Sequence, residues 1–242
     1  MEVIGSGTVR DVIDGRTLML DDGRAVRFAG IEVPPGAGKD AAGRGADPGA
    51  ETSAALRRLV SGKPVVVKGA ESKPDRYGRL VGHVFVTGEG LERSVQRDML
   101  AAGLAWVGAR VGDRACAAAL LAGEREAREA RLGLWASPDH APRRADNPAA
   151  ILSHRGRFSL VEGKVLSVRE SGGTIYMNFS RRWSEGFTVT IAKRNERMFS
   201  AAGLEPQRLE RQRVRVRGWV EERGGPRIEA TRPEQIELLA RE

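Results

Sequence analysis

Residues 7–31 read GTVRDVIDGRTLMLDDGRAVRFAGI. Apolar and polar residues alternate on both sides of Asp21, Asp22 and Gly23, and an Asp-Gly pair suits a tight turn between strands. The stretch therefore predicts two or three antiparallel strands. The same alternation returns in Pro64–Lys68 and in Leu80–Val86, which flank the loop Asp75-Arg76-Tyr77-Gly78-Arg79. Between these strand regions, Pro34 to Pro48 carries Gly, Ala and Asp with almost no apolar residue, which predicts a mobile loop. A helix follows, capped by Asp47 with Pro48 at its first position, bearing Ala54, Leu56, Leu59 and Val60, and stopping at Gly62. Leu91–Ala102 and Asp113–Arg131 read as amphipathic helices, and Gly133-Leu134-Trp135 closes the unit.

Three blocks in this region, Asp14-Gly15-Arg16-Thr17, Arg27 to Pro35 and Asp75 to Arg79, resemble the staphylococcal nuclease family over about residues 7–137. The resemblance implies a five-stranded barrel of the oligonucleotide-binding class with late helices. It also implies phosphodiester chemistry assisted by calcium. Two arginines of the family grip the scissile phosphate, and they correspond to Arg27 and Arg79. A planar guanidinium donates to two phosphate oxygens at once and stays charged at any working pH. Tyr77 matches the family tyrosine that bonds a terminal phosphate, and Arg76 stands beside it.

The acids depart from the family pattern. The first calcium aspartate position is Arg16, the second is Glu32, and the neighbouring ligand position is Val33. Asp14 and Glu32 are the carboxylates left for a metal, and Ca2+ is the cation implied if the protein is active. Calcium wants six to eight oxygens, and a cationic Arg16 would repel it. Arg16 is instead placed to ion-pair with Glu32 and Asp14 or to reach toward a phosphate. The general-base position is Pro35, which has no titratable group. A positioned base contributes about 10²- to 10⁴-fold. Asp40, Asp47 and Glu51 are the substitutes at hand. The family's aromatic platform corresponds to Ala109 and Val111, with Trp106 nearby as a stacking or core residue.

Ser137 to Asn147 holds two prolines and paired arginines, so the domain reading is 1–137, a linker over 138–155, and a second unit over 156–242. In that unit strands alternate over Phe158–Val168, Thr174–Phe179 and Phe187–Ile191. A short helix capped by Asn195 follows, then strands over Val214–Val220 and Arg227–Ala230. Five strands with a helix between the third and fourth predict a second barrel of the same class. The fold class is thus mainly β with helices (α+β). Tyr176, Phe179, Arg181, Arg182 and Trp183 bring aromatic and guanidinium groups near one hairpin. Arg211, Arg213, Arg215 and Arg217 recur at every second position, which predicts an exposed basic stripe on one strand face. Pairing with Glu162, Glu221 or Glu229 is the competing reading.

A formal charge of +8 over 242 residues and a pI near 10.3 favour anionic partners, and the excess falls mostly after Ala150. The one cysteine, Cys116, cannot form an intramolecular disulfide and lies at helical spacing in a core-like run. His83, His140 and His154 lack zinc spacing, and no apolar run approaches the roughly 20 residues of a membrane span. Met1 to Gly7 has no signal-peptide character, although export remains open if a leader was removed. The function expected is a nuclease fold with impaired or absent catalysis that binds nucleic acid or another phosphorylated ligand. An active metal-dependent nuclease and a protein-interaction scaffold are the alternatives.

Overall fold

In the computed structural model, which describes residues 1–36, 47–70, 73–88, 90–112, 114–182 and 184–240, the 13-residue strand β1 (Glu2–Asp14) organises the first unit. Its second half pairs antiparallel with β2 (Thr17–Leu20), and its first half with β5 (Pro64–Gly69). Register shifts between Val3 and Gly5, Val9 and Asp11, and Val12 and Asp14 allow one strand to serve both neighbours, because bulges bend and twist a strand. Strand β3 (Ala25–Phe28) follows β2, and the short β4 (Ile31–Glu32) follows β3. Helix α1 (Pro48–Val60) and β5 lead to β6 (Leu80–Gly88). The pairings run β3-β2-β1-β5-β6 and return to β3, because Val26–Phe28 pairs parallel with Leu80–Gly82.

The interior of this ring holds Val12, Leu18, Leu20, Val26, Val67 and Val84, all essentially inaccessible to water. Helix α1 begins as its punctuation dictates. The Asp47 carboxylate accepts from the amides of Gly49 and Ala50 at 2.9 and 3.1 Å, Pro48 opens the first turn, and Gly62 beyond the end takes φ +68°. Leu91–Ala102 is not one helix. Leu91–Ser94 forms β7, paired with β6, and only Val95–Ala101 is helical (α2), entered through a Ser94 cap on Arg97. The apolar spacing of Leu91 suited either element, and the free edge of β6 decided it. Short β8 (Trp106–Val107) pairs with β4, and α3 (Arg114–Glu129) packs on α2. Gln96 is fully buried with its amide satisfied. It accepts from Val84 N at 3.0 Å and donates to the carbonyls of Gly82 and Ala29 at 3.1 and 3.3 Å, fixing α2 to the strands. Cys116 is half-buried at the edge of this core.

The chain divides into Met1–Pro138 and Asp139–Glu242. Of the segment expected as a linker, 138–155, all but Pro138 falls in the second unit, where it is structured. Arg143–Arg144 (β9) pairs parallel with β10 (Phe158–Lys164), and Pro148–Leu152 (α4) is capped by Asn147. Ala145 and Ile151 sit in the second core, which explains the departure: a few apolar side chains among prolines and arginines suffice to anchor the segment. A break at Val165 and Leu166 separates β10 from β11 (Ser167–Ser171). Then come β12 (Thr174–Asn178), β13 (Thr188–Ala192), α5 (Glu196–Ala201), β14 (Arg213–Trp219), β15 (Glu221–Arg223), β16 (Gly225–Glu229) and β17 (Ile236–Leu238). One sheet runs β17-β14-β10-β9 and the other β11-β12-β13-β16-β15, with β13 and β16 parallel. The whole chain is mainly β with helices. Among the described residues no helix is long and apolar enough to cross a membrane.

Candidate functional site

The registers of three strands bring Thr17, Arg27 and Val81 side by side, while Leu18, Val26 and Leu80 lie side by side on the opposite face, in the core. Arg27 therefore projects from the outer surface of the ring. Beside it, the turn between β1 and β2 is closed by Asp14. Its Oδ1 accepts from Arg16 N at 2.8 Å and its Oδ2 from Thr17 Oγ1 at 3.1 Å. Gly15 is needed here, since a Cβ would stand 2.9 Å from Thr52 Cγ2 on α1. The Arg16 guanidinium is then held by an ion pair with Glu32 on β4.

The loop before β6 is built around Asp75. Its Oδ1 accepts from the amides of Tyr77 and Arg79 at 2.9 and 3.0 Å, and its Oδ2 accepts from Arg79 Nε and Nη2 at 2.9 and 2.7 Å. Gly78 N donates to Asp75 O at 2.9 Å, and Gly78 takes the left-handed conformation (φ +75°) that lets the chain reverse. The guanidinium groups of Arg76 and Arg79 lie 4.8 and 4.9 Å from the centre of the Tyr77 ring, which is otherwise exposed.

The electrostatics link these pieces. Partial burial lowers Arg27 below the usual arginine range, and the nearby charges of Arg16 and Arg79 lower it further, against the pull of Glu32 and Asp14. Burial raises Glu32 above the ordinary glutamate value despite Arg16 and Arg27. Among the described residues Arg27 makes no side-chain hydrogen bond or ion pair. Three guanidinium groups thus share one half-buried region, with Glu32 committed to one of them. Such a region attracts an oxyanion.

Pro35, expected from the resemblance to stand at the general-base position, is exposed, and Pro35-Gly36 runs against the first turn of α1, where a Cβ on Gly49 would meet Pro35 C at 2.9 Å. Asp47 is committed to capping that helix, Glu51 points to solvent, and Asp40 lies outside the described residues, with most of the loop expected over 34–48. A calcium ion does not fit the described donors. Glu32 is taken by Arg16, Asp14 by the turn, and among the described residues no group of three or more His, Cys, Asp or Glu side chains converges. Trp106 is 7% exposed and belongs to the interior, and Val111 is buried with its carbonyl 2.9 Å from His83 Nε2, so neither supplies a platform for a base. The sequence reading passed over Asp75 as a site residue, although its position four residues before Arg79 carried the signal.

In the second unit the exposed basic stripe is corrected. Arg213, Arg215 and Arg217 do share one face of β14, but Arg215 is 8% exposed and Arg217 fully buried. Glu162 on β10 and Glu237 on β17 stand beside Arg215 in register, and Arg215 bonds them at 2.6 and 3.2 Å. Arg217 pairs with Glu237 as well. Charged side chains on adjacent strands neutralise one another there. Arg211 is not in the strand. Phe179 is core, packed on Phe187 with ring centres 5.0 Å apart, Arg182 is exposed, and Trp183 lies outside the described residues.

A family model described as staphylococcal nuclease homologue matches residues 25–137. A protein of Escherichia coli O157:H7 named as an uncharacterized endonuclease is 32% identical over 137 residues, 56% of this chain and 80% of the relative. Protein ParB of Escherichia coli is 34% identical over 138 residues, 54% of this chain and 73% of the relative. The staphylococcal-like nuclease CAN1 of Arabidopsis thaliana is 40% identical over 89 residues, 37% of this chain and 25% of the relative.

Proposed function

Because the chain belongs to the staphylococcal nuclease family through its first unit, we propose that this unit is a nuclease fold that grips a phosphodiester of nucleic acid, or another phosphorylated ligand, with its hydrolytic machinery impaired. The observation that carries the reading is the meeting of Arg16, Arg27 and Arg79 at one half-buried place, where Arg27 has no acid of its own among the described residues. Arg27 and Arg79 donate to phosphate oxygens, and Asp75 aims Arg79 by occupying its Nε and Nη2 edge while leaving Nη1 to donate outward. Tyr77 offers its exposed ring and hydroxyl at the rim. Arg16, held by Glu32, supplies fixed positive charge where a metal would otherwise sit. Of the described acids named as substitutes or ligands, Asp14, Glu32 and Asp47 are held by other partners, and Glu51 points to solvent from α1. The ring of strands in the first unit and the two sheets of the second are each read as a five-stranded barrel of the oligonucleotide-binding class.

The endonuclease and nuclease names of the relatives favour a second reading, cleavage with a substitute acid. One experiment separates them. Purified protein is incubated with labelled single-stranded DNA and RNA in calcium, magnesium or chelator, with Arg79→Ala as the control. Intact substrate bound in a salt-sensitive manner is the expected result. Metal-dependent products that vanish in Arg79→Ala would establish a working nuclease, and neither binding nor cleavage would turn the search to protein partners.

A further inference from the structure

On the outer face of β11 and β12, Arg169 stands directly opposite Tyr176, and Ser167 opposite Asn178. Ile175 and Met177 on the other face are fully buried. The outer face forms the floor of a groove of about 1070 Å³, whose walls include Lys164, Arg181 and Arg211. That volume stands at the upper end of the roughly 300–1,000 Å³ of ligand sites, so the groove has room for a ligand of some size. Among the described residues, four cations and no acid line it. None of the four side chains has a hydrogen bond or ion pair to a described residue, in contrast to Lys193, Arg208, Arg215 and Arg227 of the same unit, each paired to a glutamate.

Two further features mark the groove. Arg211 holds φ +64°, one of two non-glycine residues in the left-handed region among those described, with its amide donating to Val165 O at 2.8 Å. An arginine kept where glycine would be unstrained points to a use for the guanidinium. The Tyr176 ring is half-buried with no described aromatic or cationic ring partner. On the same face, Asn178 is fixed, accepting from Thr188 Oγ1 at 3.3 Å and donating to Ser167 Oγ at 3.4 Å.

We propose that this groove is a second nucleic-acid site that takes a single strand. Lys164, Arg169, Arg181 and Arg211 neutralise successive phosphates, and Tyr176 stacks on an unpaired base, which a duplex would not present. The proposal rests on the reading of the chain as a nucleic-acid-binding protein but uses none of the residues of the first unit.

The test is fluorescence anisotropy of the full chain with labelled oligo-dT and oligo-U of about 15 nucleotides, titrated over a range of salt. Tyr176→Ala is expected to weaken binding about fivefold or more, with Tyr176→Phe retaining it. Arg169→Ala with Arg181→Ala lowers the salt slope by about 1.4, roughly 0.7 for each phosphate no longer neutralised. Arg211→Gly weakens binding without lowering the melting temperature. Arg27→Ala with Arg79→Ala is measured in parallel. Groove variants that bind as tightly as the parent while that pair loses affinity overturn the groove and leave the first-unit reading standing. The reverse supports the groove and removes the first-unit reading, losses in both sets support both, and a parent chain that binds neither strand overturns both.

Discussion

Arg79 donates through Nε and Nη2 to the same carboxylate oxygen, Oδ2 of Asp75, at 2.9 and 2.7 Å. This pairing, with two backbone amides on the other oxygen, lowers Asp75 from 3.8 to about 2. A carboxylate depressed in the folded state stabilises the loop fully at pH values above its unfolded value and loses that contribution as pH falls through the folded one. Asp75→Asn is therefore expected to be less stable than the parent at neutral pH, with the difference shrinking between about pH 4 and pH 2. Thermal melts of both proteins across that range check it. A difference independent of pH would mean that the ionised carboxylate is not what holds Arg79.

In the proposed reading the Arg16–Glu32 pair and Pro35 impair hydrolysis in different ways, one by cancelling an acid and the other by supplying none. Arg16→Asp with Pro35→Glu frees Glu32, adds a carboxylate beside Asp14 and restores a titratable group against the start of α1. The double variant is expected to bind calcium by calorimetry and to raise calcium-dependent cleavage of single-stranded DNA by about 10²-fold or more over the parent, the lower bound of what a positioned base contributes. Calcium binding without cleavage would place the fault in the position of residue 35. Absence of both would show that the surrounding backbone has moved away from a catalytic arrangement.

Glu237 accepts from both Arg215 and Arg217, and Arg217 has no exposed surface. Glu237→Ala removes a charged partner from the buried Arg217 guanidinium, which destabilises by about 3 kcal/mol. Urea denaturation of the full chain measures it through the midpoint. Affinity for a single strand under folded conditions is expected to stay at the parent level, because these arginines serve the fold. A large loss of affinity at unchanged stability would return β14 to the binding surface.

What the sequence made legible was local. Asp47, Pro48 and Gly62 each act on their own backbone, so α1 was placed to within a residue or two. The loop of Asp75 to Arg79 closes on itself within five residues, and the absence of a base at Pro35 needs no structure to be seen. The period of two along β14 was also read correctly, and of its two readings, exposure and pairing, the pairing with Glu162, 53 residues away, is the one that holds for Arg215, joined by Glu237, which the pattern never connected to it. Leu91–Ser94 failed for the same reason, since only the free edge of β6 decides strand over helix. Arg181 beside Tyr176, and Arg211, were singled out, but their meeting with Lys164 and Arg169 was not, because the four follow no common period and meet only where β10 breaks and Arg211 turns back onto Val165.

Ile151 decides whether 138–155 is a tether or a part of the second unit. It lies on α4 with no exposed surface, in the core that also holds Ile175, Val189 and Val216. Ala145 packs so closely over Gly163 that a Cβ there would collide with it. Removing most of a buried isoleucine costs the lost transfer energy plus that of the cavity left behind, about 2–4 kcal/mol. Ile151→Ala is therefore expected to lower the stability of the second unit by that amount, read from the denaturation midpoint of a probe such as Trp219 fluorescence, while a probe confined to the first unit is unchanged. Substitution in a solvated tether would change stability by less than about 0.5 kcal/mol, so the two outcomes are well separated. An unchanged midpoint would mean that the helix is held by its Asn147 cap and β9 rather than by the side chain it buries.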